Sequence, residues 1–168
     1  MKLRNPYFMH NNWEDQPYSS MLLVSPYCDF KCNNCHNIHL SKETIVDFPV
    51  DELVEKYNAN PFYKGITLAG LEPSFNTDEF FDDLYSFIEK AKVEKVTIYT
   101  RLNYDEIPTS IGLYNFIRNC IIELDNTKKL YLKTGAYIDG CKSKTVEISN
   151  WKIKLASQNQ QFITIKNT

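Results

Sequence analysis

Long apolar runs are missing from this 168-residue chain. The longest, "MLLV" and "CIIEL", fall far short of the roughly 20 residues that a membrane-spanning helix needs. The opening stretch "MKLRNPYFMHNNWEDQ" has no apolar signal-peptide core. Both absences point to a cytosolic protein. No surplus of charge is present either: the net charge is −2, which gives no footprint for nucleic acid or an anionic membrane. Glycine and proline are sparse, at five and seven, and no tract is compositionally biased. That excludes a low-complexity linker and leaves one domain over residues 1–168. Aromatic residues are plentiful instead, with eleven Tyr and ten Phe. They read as core and half-buried strand positions.

Hydrophobic periodicity alternates between short strands and helices. "SMLLVSPY" (20–27), "KGITLAG" (64–70), "EKVTIYT" (94–100) and "KKLYLKTGAY" (128–137) read as strands. "PVDELVEKYNA" (49–59) opens with Pro49 and Asp51 and reads as a helix. "TDEFFDDLYSFIEKAK" (77–92) places Phe80, Phe81, Leu84, Phe87 and Ile88 on one face, with Asn76 or Thr77 as its cap. "NYDEIPTSIGLYNFIRNC" (103–120) is helical in pieces, broken near Pro108 and Gly112. "CIIELD" (120–125) reads as a strand or as the end of that helix. The tail offers strands near Trp151–Leu155 and Phe162–Ile165. Such alternation predicts βα units around a mainly parallel sheet.

Five cysteines are present, and Cys28, Cys32 and Cys35 fall within the eight residues 28–35. In a reducing cytosol a stable disulfide is not expected, so metal or redox chemistry is the better reading. Thiolates are soft ligands suited to zinc or to iron–sulfur clusters. Structural zinc closes its shell with four ligands, and His36 or His39 stands near enough in sequence to complete a Cys3His set. A four-iron cluster is usually held by four cysteines, one per iron. Three would leave one iron open to a substrate or cofactor, as on a catalytic metal.

The C-x3-C-x2-C spacing, on a loop after the first strand, resembles the radical S-adenosylmethionine (SAM) enzymes. "GITLAGLEP" (65–73) resembles that family's strand-end Gly-Gly-Glu-Pro motif, with Gly70, Glu72 and Pro73 matching and Leu71 in place of the second glycine. "CNNCHN" resembles one subfamily, the activating proteins of anaerobic ribonucleoside-triphosphate reductase, through Cys35-His36-Asn37. "VTIYTR" (96–101), "YLKTGAYID" (131–139, with Lys133, Gly135 and Tyr137) and "LASQNQQ" (155–161, with Asn159 and Gln160) resemble later strands and the C-terminal signature of that subfamily. Asn34 departs from the aromatic residue that many members carry before the third cysteine.

The resemblance implies an α/β fold, a partial and open parallel βα barrel of radical SAM type. It implies that Cys28, Cys32 and Cys35 hold a [4Fe-4S] cluster, and that SAM is the fourth ligand. It implies that Asn37, Ala69, Gly70, Leu71, Glu72, Thr100 and Lys133 face the cofactor, with no catalytic residue beyond the cluster and SAM. The implied reaction is reductive cleavage of SAM and hydrogen abstraction from a glycine of a partner, the glycyl-radical anaerobic ribonucleoside-triphosphate reductase. The implied electron source is a flavodoxin or ferredoxin. Two other readings stand beside it: a radical SAM enzyme acting on a small molecule or peptide, and a non-catalytic zinc-stabilised binding module. Taken singly, Lys133, Thr100, Asn159, His36 and His39 read as ordinary strand-end, turn or loop residues, and Cys120 and Cys141 as structural or surface thiols.

Overall fold

In the computed structural model the described residues are 1–4, 9–10, 16, 18–123, 128–148 and 150–165. The strands are β1 (Lys2–Arg4), β2 (Met9–His10), β3 (Ser20–Val24), β4 (Ile45–Asp47), β5 (Ile66–Ala69), β6 (Lys95–Tyr99), β7 (Lys129–Thr134), β8 (Lys144–Ile148), β9 (Trp151–Leu155) and β10 (Gln161–Ile165). The helices are α1 (Val50–Asn58), α2 (Asp78–Lys90) and α3 (Ile111–Glu123), with 3-10 turns at Leu40–Lys42, Pro73–Phe75 and Tyr104–Thr109. The third helical segment is interrupted at Ser110, close to Pro108 as its sequence predicts, whereas Gly112 lies inside α3 and does not break it, and residues 120–123 end α3 instead of forming a strand. Residues 124 and 125 lie outside the described residues.

The main sheet has the order β10-β7-β6-β5-β3-β2. Its four central strands are parallel, and each edge strand is antiparallel to its neighbour. The parallel strands advance in one direction without reversing. Right-handed crossovers then put every connecting helix on the same face. Met21, Leu23, Ile66, Leu68, Val96, Ile98, Leu130 and Leu132 point to that face, where they pack with Leu53 of α1, Phe87 of α2 and Leu113 of α3. Helix α2 carries the largest share, because its five apolar residues fall on one stripe. Thr77 caps it by accepting the Phe80 N–H at 3.3 Å.

Among the described residues the other face has no helix. Leu22, Thr67, Thr97 and Tyr131 lie in register across it. At the N-terminal end of the strands it is closed by Gln16 and Tyr18. The Gln16 amide donates to Ser20 Oγ at 2.6 Å and its carbonyl accepts from the Thr67 hydroxyl. Tyr18 shares a 2.6 Å hydroxyl contact with Thr97. Tyr131, Ile153, Leu155 and Phe162 fill the space beside Tyr18, with the β8–β9 hairpin as their cover. Towards the C-terminal strand ends this face is left open.

Candidate metal centre

Because β3, β5, β6 and β7 are parallel, the loops that follow them all emerge at one rim. Residues 25–39 leave β3 and carry the three cysteines. The feet of this loop are tied together by Arg4, whose Nε donates to the Pro26 carbonyl at 2.8 Å and whose Nη1 donates to the Glu43 carbonyl at 2.5 Å. Its middle is held by Phe30, which packs on Phe75 with centroids 4.8 Å apart and carries the Arg101 guanidinium 3.7 Å from its ring centroid. Asn34 takes the left-handed conformation at φ 52, which Asn tolerates, and donates to Asp139 Oδ2 at 2.6 Å.

After β5 the backbone turns through Gly70 at φ +86. A Cβ there would stand 2.9 Å from Leu40 Cδ1 and 3.0 Å from Val24 Cγ1, so only glycine fits. Leu71 is not in the left-handed region, and its side chain is 6% exposed. It forms a small apolar cluster with Val24 and Leu40, against which Leu22 and Cys28 pack. Glu72 is also 6% exposed. Its Oε1 accepts from the Ser74 N–H at 3.2 Å and the Thr100 hydroxyl at 2.6 Å, and its Oε2 accepts from the Arg101 N–H at 2.8 Å. The carboxylate therefore joins the end of β5 to the end of β6.

After β7, Gly135 adopts φ +93. The turn 157–160 grips this loop: Gln160 Nε2 donates to the Gly135 carbonyl at 3.1 Å, Asn159 Nδ2 to the Ala136 carbonyl at 2.7 Å, and the Ile138 N–H to Ser157 Oγ at 2.9 Å. Asn159 and Gln160 thus brace the rim loop through its carbonyls. Lys133 is 9% exposed, with its Nζ 4.6 Å from the Tyr99 ring centroid.

These loops enclose a cleft of about 230 Å3 lined by Cys28, Cys32 and Cys35 together with Asn37, Gly70, Leu71, Glu72, Thr100 and Lys133. A hollow of about 640 Å3 on the open face of the sheet adjoins it, sharing Asn37, Gly70, Tyr99, Lys133 and Tyr137 and adding Ala69. Every candidate cofactor-facing residue read from the sequence lines one or both. A separate groove of about 580 Å3 between α2 and α3 lies on the helical side, away from the thiols.

A family model described as a 4Fe-4S single cluster domain matches residues 19–163. The chain belongs to that family. No curated protein and no solved structure matches the chain.

The residues present fit a cluster of this family. The three thiols open on one cleft, and Cys32 is exposed while Cys28 and Cys35 are partly so. Among the described residues no three His, Cys, Asp or Glu side chains converge as a single metal ion requires. A cluster makes no such demand, because each thiolate takes its own iron. Cys120, at 2% exposed in the helical core, is withdrawn from the rim, and Cys141 is not among the residues lining the cleft. Among the described residues, the thiols that line the cleft are therefore those of Cys28, Cys32 and Cys35. His36 and His39 are exposed. No helix among the described residues is long and apolar enough to cross a membrane.

Sequence reasoning missed Arg4, Phe30 and Arg101. Their effect is exerted through contacts between distant segments, and no local spacing signals it.

Proposed function

We propose that this 4Fe-4S domain is a radical SAM activase, built on an open parallel βα half-barrel, that installs a glycyl radical on an anaerobic ribonucleotide reductase. The observation that carries the reading is the convergence of the three-cysteine loop and the Gly70-Leu71-Glu72-Pro73 strand end on one cleft. The uninterrupted advance of the parallel strands supports the half-barrel, since it puts all three crossover helices outside and leaves an inner face for a cofactor.

The chain's own groups have defined tasks in this reading. Cys28, Cys32 and Cys35 would hold the cluster, with SAM as its fourth ligand. When bound and reduced, the cluster would supply the one-electron cleavage of SAM and with it the hydrogen abstraction from glycine. The backbone of Gly70 to Glu72 and the Asn37 side chain border the same cleft and face the cofactor. Glu72 positions the rim through Thr100 and Arg101. Lys133 supplies a cation on the cofactor side of the Tyr99 ring. The open face lets a protein loop reach the cleft, and a flavodoxin or ferredoxin delivers the electron.

The test is anaerobic reconstitution with iron and sulfide, reduction, and addition of SAM. The expected result is about four irons per chain and release of 5'-deoxyadenosine, with both lost in Cys32→Ala. An EPR glycyl signal should follow when a candidate reductase is added. SAM cleavage with no glycyl signal on any reductase would favour a small-molecule or peptide substrate. Stoichiometric zinc without cleavage would overturn the proposal.

A further inference from the structure

Outside the thiol cleft, one buried side chain has an unmet hydrogen-bonding need. Asn76 is 8% exposed, and its amide donates to Ser25 Oγ at 3.3 Å. Its carbonyl oxygen is buried and has no hydrogen-bond partner among the described residues. A buried acceptor without a donor is costly and calls for an occupant. Asn76 lines a pocket of about 170 Å3 between the foot of the thiol loop and the first turns of α2, together with Pro26, Tyr27, Glu79 and Phe80.

The pocket has the charge and the surfaces for an organic cation. Glu79 is exposed in the first turn of α2 and forms no ion pair among the described residues. Asp47 and Asp83 also reach the pocket, but the Met1 ammonium already engages them, at 3.3 and 3.0 Å. Lys2, also at the wall, pairs with none of the three among the described residues. Tyr27 is 43% exposed, and its ring has no aromatic or cationic neighbour among the described residues. A single metal ion fits poorly, because among the described residues no three His, Cys, Asp or Glu side chains converge. A guanidinium spreads its N–H donors over a plane, so it meets acceptors that stand too far apart for one ion, and its face stacks on a tyrosine ring. An ammonium is a compact point charge and gains less from such a wall.

We infer that this pocket receives the arginine side chain of a docking protein, with the guanidinium between Glu79 and the Asn76 carbonyl oxygen and its face against Tyr27. The bond from Asn76 to Ser25 is long, which leaves the amide free to turn towards an incoming donor. Ser25 follows β3 directly, and Pro26 and Tyr27 lead into Cys28, so the arginine sits at the foot of the thiol loop. The source of the arginine rests on the reading of a protein substrate; the pocket itself does not depend on the cluster.

The experiment uses the anaerobically reconstituted protein with Nα-acetyl-arginine methylamide, its lysine counterpart and free L-arginine as probes. Saturation-transfer NMR on the ligand gives the affinity and the ligand protons that touch the protein. The blocked arginine is expected to bind saturably, about threefold or more tightly than the blocked lysine. Glu79→Gln and Tyr27→Leu should each weaken it about threefold. Iron content and unfolding temperature should be unchanged in Glu79→Gln, whose side chain is exposed. Asn76→Leu should lose the binding; if that variant does not fold, the other two carry the test.

No saturable binding of the blocked arginine would overturn the inference and leave the orphan acceptor to a buried water. Equal affinity for the blocked lysine would overturn the guanidinium assignment. Binding unchanged in both Glu79→Gln and Tyr27→Leu would overturn the pocket. Tighter binding of free L-arginine than of the blocked form would overturn the protein source in favour of a small guanidino compound. Each of these outcomes leaves the SAM reading intact, whereas saturable arginine binding without SAM cleavage would overturn the SAM reading and leave the pocket.

Discussion

Glu72→Gln isolates the hydrogen bonds that hold the rim. The wild-type carboxylate is buried and accepts three donors: the Ser74 N–H, the Thr100 hydroxyl and the Arg101 N–H. Glutamine has the same shape but replaces one acceptor oxygen by a donor group. With the NH2 at the Oε2 place, it faces the Arg101 N–H. With the NH2 at the Oε1 place, it faces the Ser74 N–H and deprives the Thr100 hydroxyl, whose oxygen already accepts from the Leu102 N–H at 3.1 Å. Either orientation strands at least one buried donor, at about 1–3 kcal/mol. The surviving bonds also lose their charge assistance. A neutral amide costs less to bury than a carboxylate, which offsets part of this. The net expectation is a loss of about 2 kcal/mol, or about 4–8 °C in Tm for a chain of this size. Anaerobic urea and thermal unfolding followed by circular dichroism would measure it. Unchanged stability combined with collapsed SAM binding would refute the reasoning, since it would mean that the carboxylate acts on the cofactor and not on Thr100 and Arg101.

Gly70→Ala forces an L side chain to φ +86 and drives its Cβ into Leu40 and Val24. The left-handed conformation alone costs about 1–2 kcal/mol, and the crowding adds to it. Because the displaced residues support Cys28, iron retention against a chelator should fall together with the urea midpoint; full retention with a lowered midpoint would separate Gly70 from the thiol loop. Burial pushes the Tyr18 hydroxyl far above the usual tyrosine range, and it pushes Tyr57 up to about 12. The unfolded chain releases these protons near pH 10 while the folded chain keeps them. Stability is therefore level below about pH 10 and falls as pH rises beyond it. Tyr18→Phe should be less stable at neutral pH, having lost the Thr97 and Ile66 partners, and should show a shallower alkaline decline; parallel declines would sink the assignment.

The elements that bury the most apolar surface were the most legible. Phe80, Phe81, Leu84, Phe87 and Ile88 announce α2 because one stripe of a 3.6-residue period carries them all. The parallel strands β3, β5, β6 and β7 were readable from short apolar runs between turn signals, with ends trimmed by one to three residues. The three-residue strands β1 and β4 pair only with each other, and so short a ribbon leaves no periodic trace. Strand β8, in a stretch with no clear expectation attached, alternates exposed with half-buried residues, and its pairing with β9 supplies the reason for the order. At the site, the thiol spacing was legible because it is chemistry within one loop. The task of Glu72 was not. Beside the local Ser74 N–H, its partners are a hydroxyl and a backbone N–H from another strand end, and nothing in "GLEP" distinguishes a carboxylate turned towards a ligand from one turned towards its neighbours.

Leu71 shows how a departure from a motif can be absorbed by the fold. Backbone contacts at a strand end need the peptide groups of Gly70 to Glu72 to face the cleft, and a side chain at position 71 is compatible with that wherever φ is negative and its volume has another place to go. Both conditions hold here. The left-handed turn is taken one residue earlier, by Gly70, and the Leu71 side chain drops below the rim onto Val24 and Leu40. That contact does more than remove an obstruction. Val24 ends the strand that launches the cysteine loop, Leu40 begins the 3-10 turn that follows it, and Cys28 packs against the same cluster. A glycine at 71 would leave these residues around a void. The leucine therefore couples the β5 strand end to both sides of the thiol loop, and Arg4 does the same from the other side through the carbonyls of Pro26 and Glu43. Fixed at both feet and beneath, the loop is held in place by contacts of the fold itself.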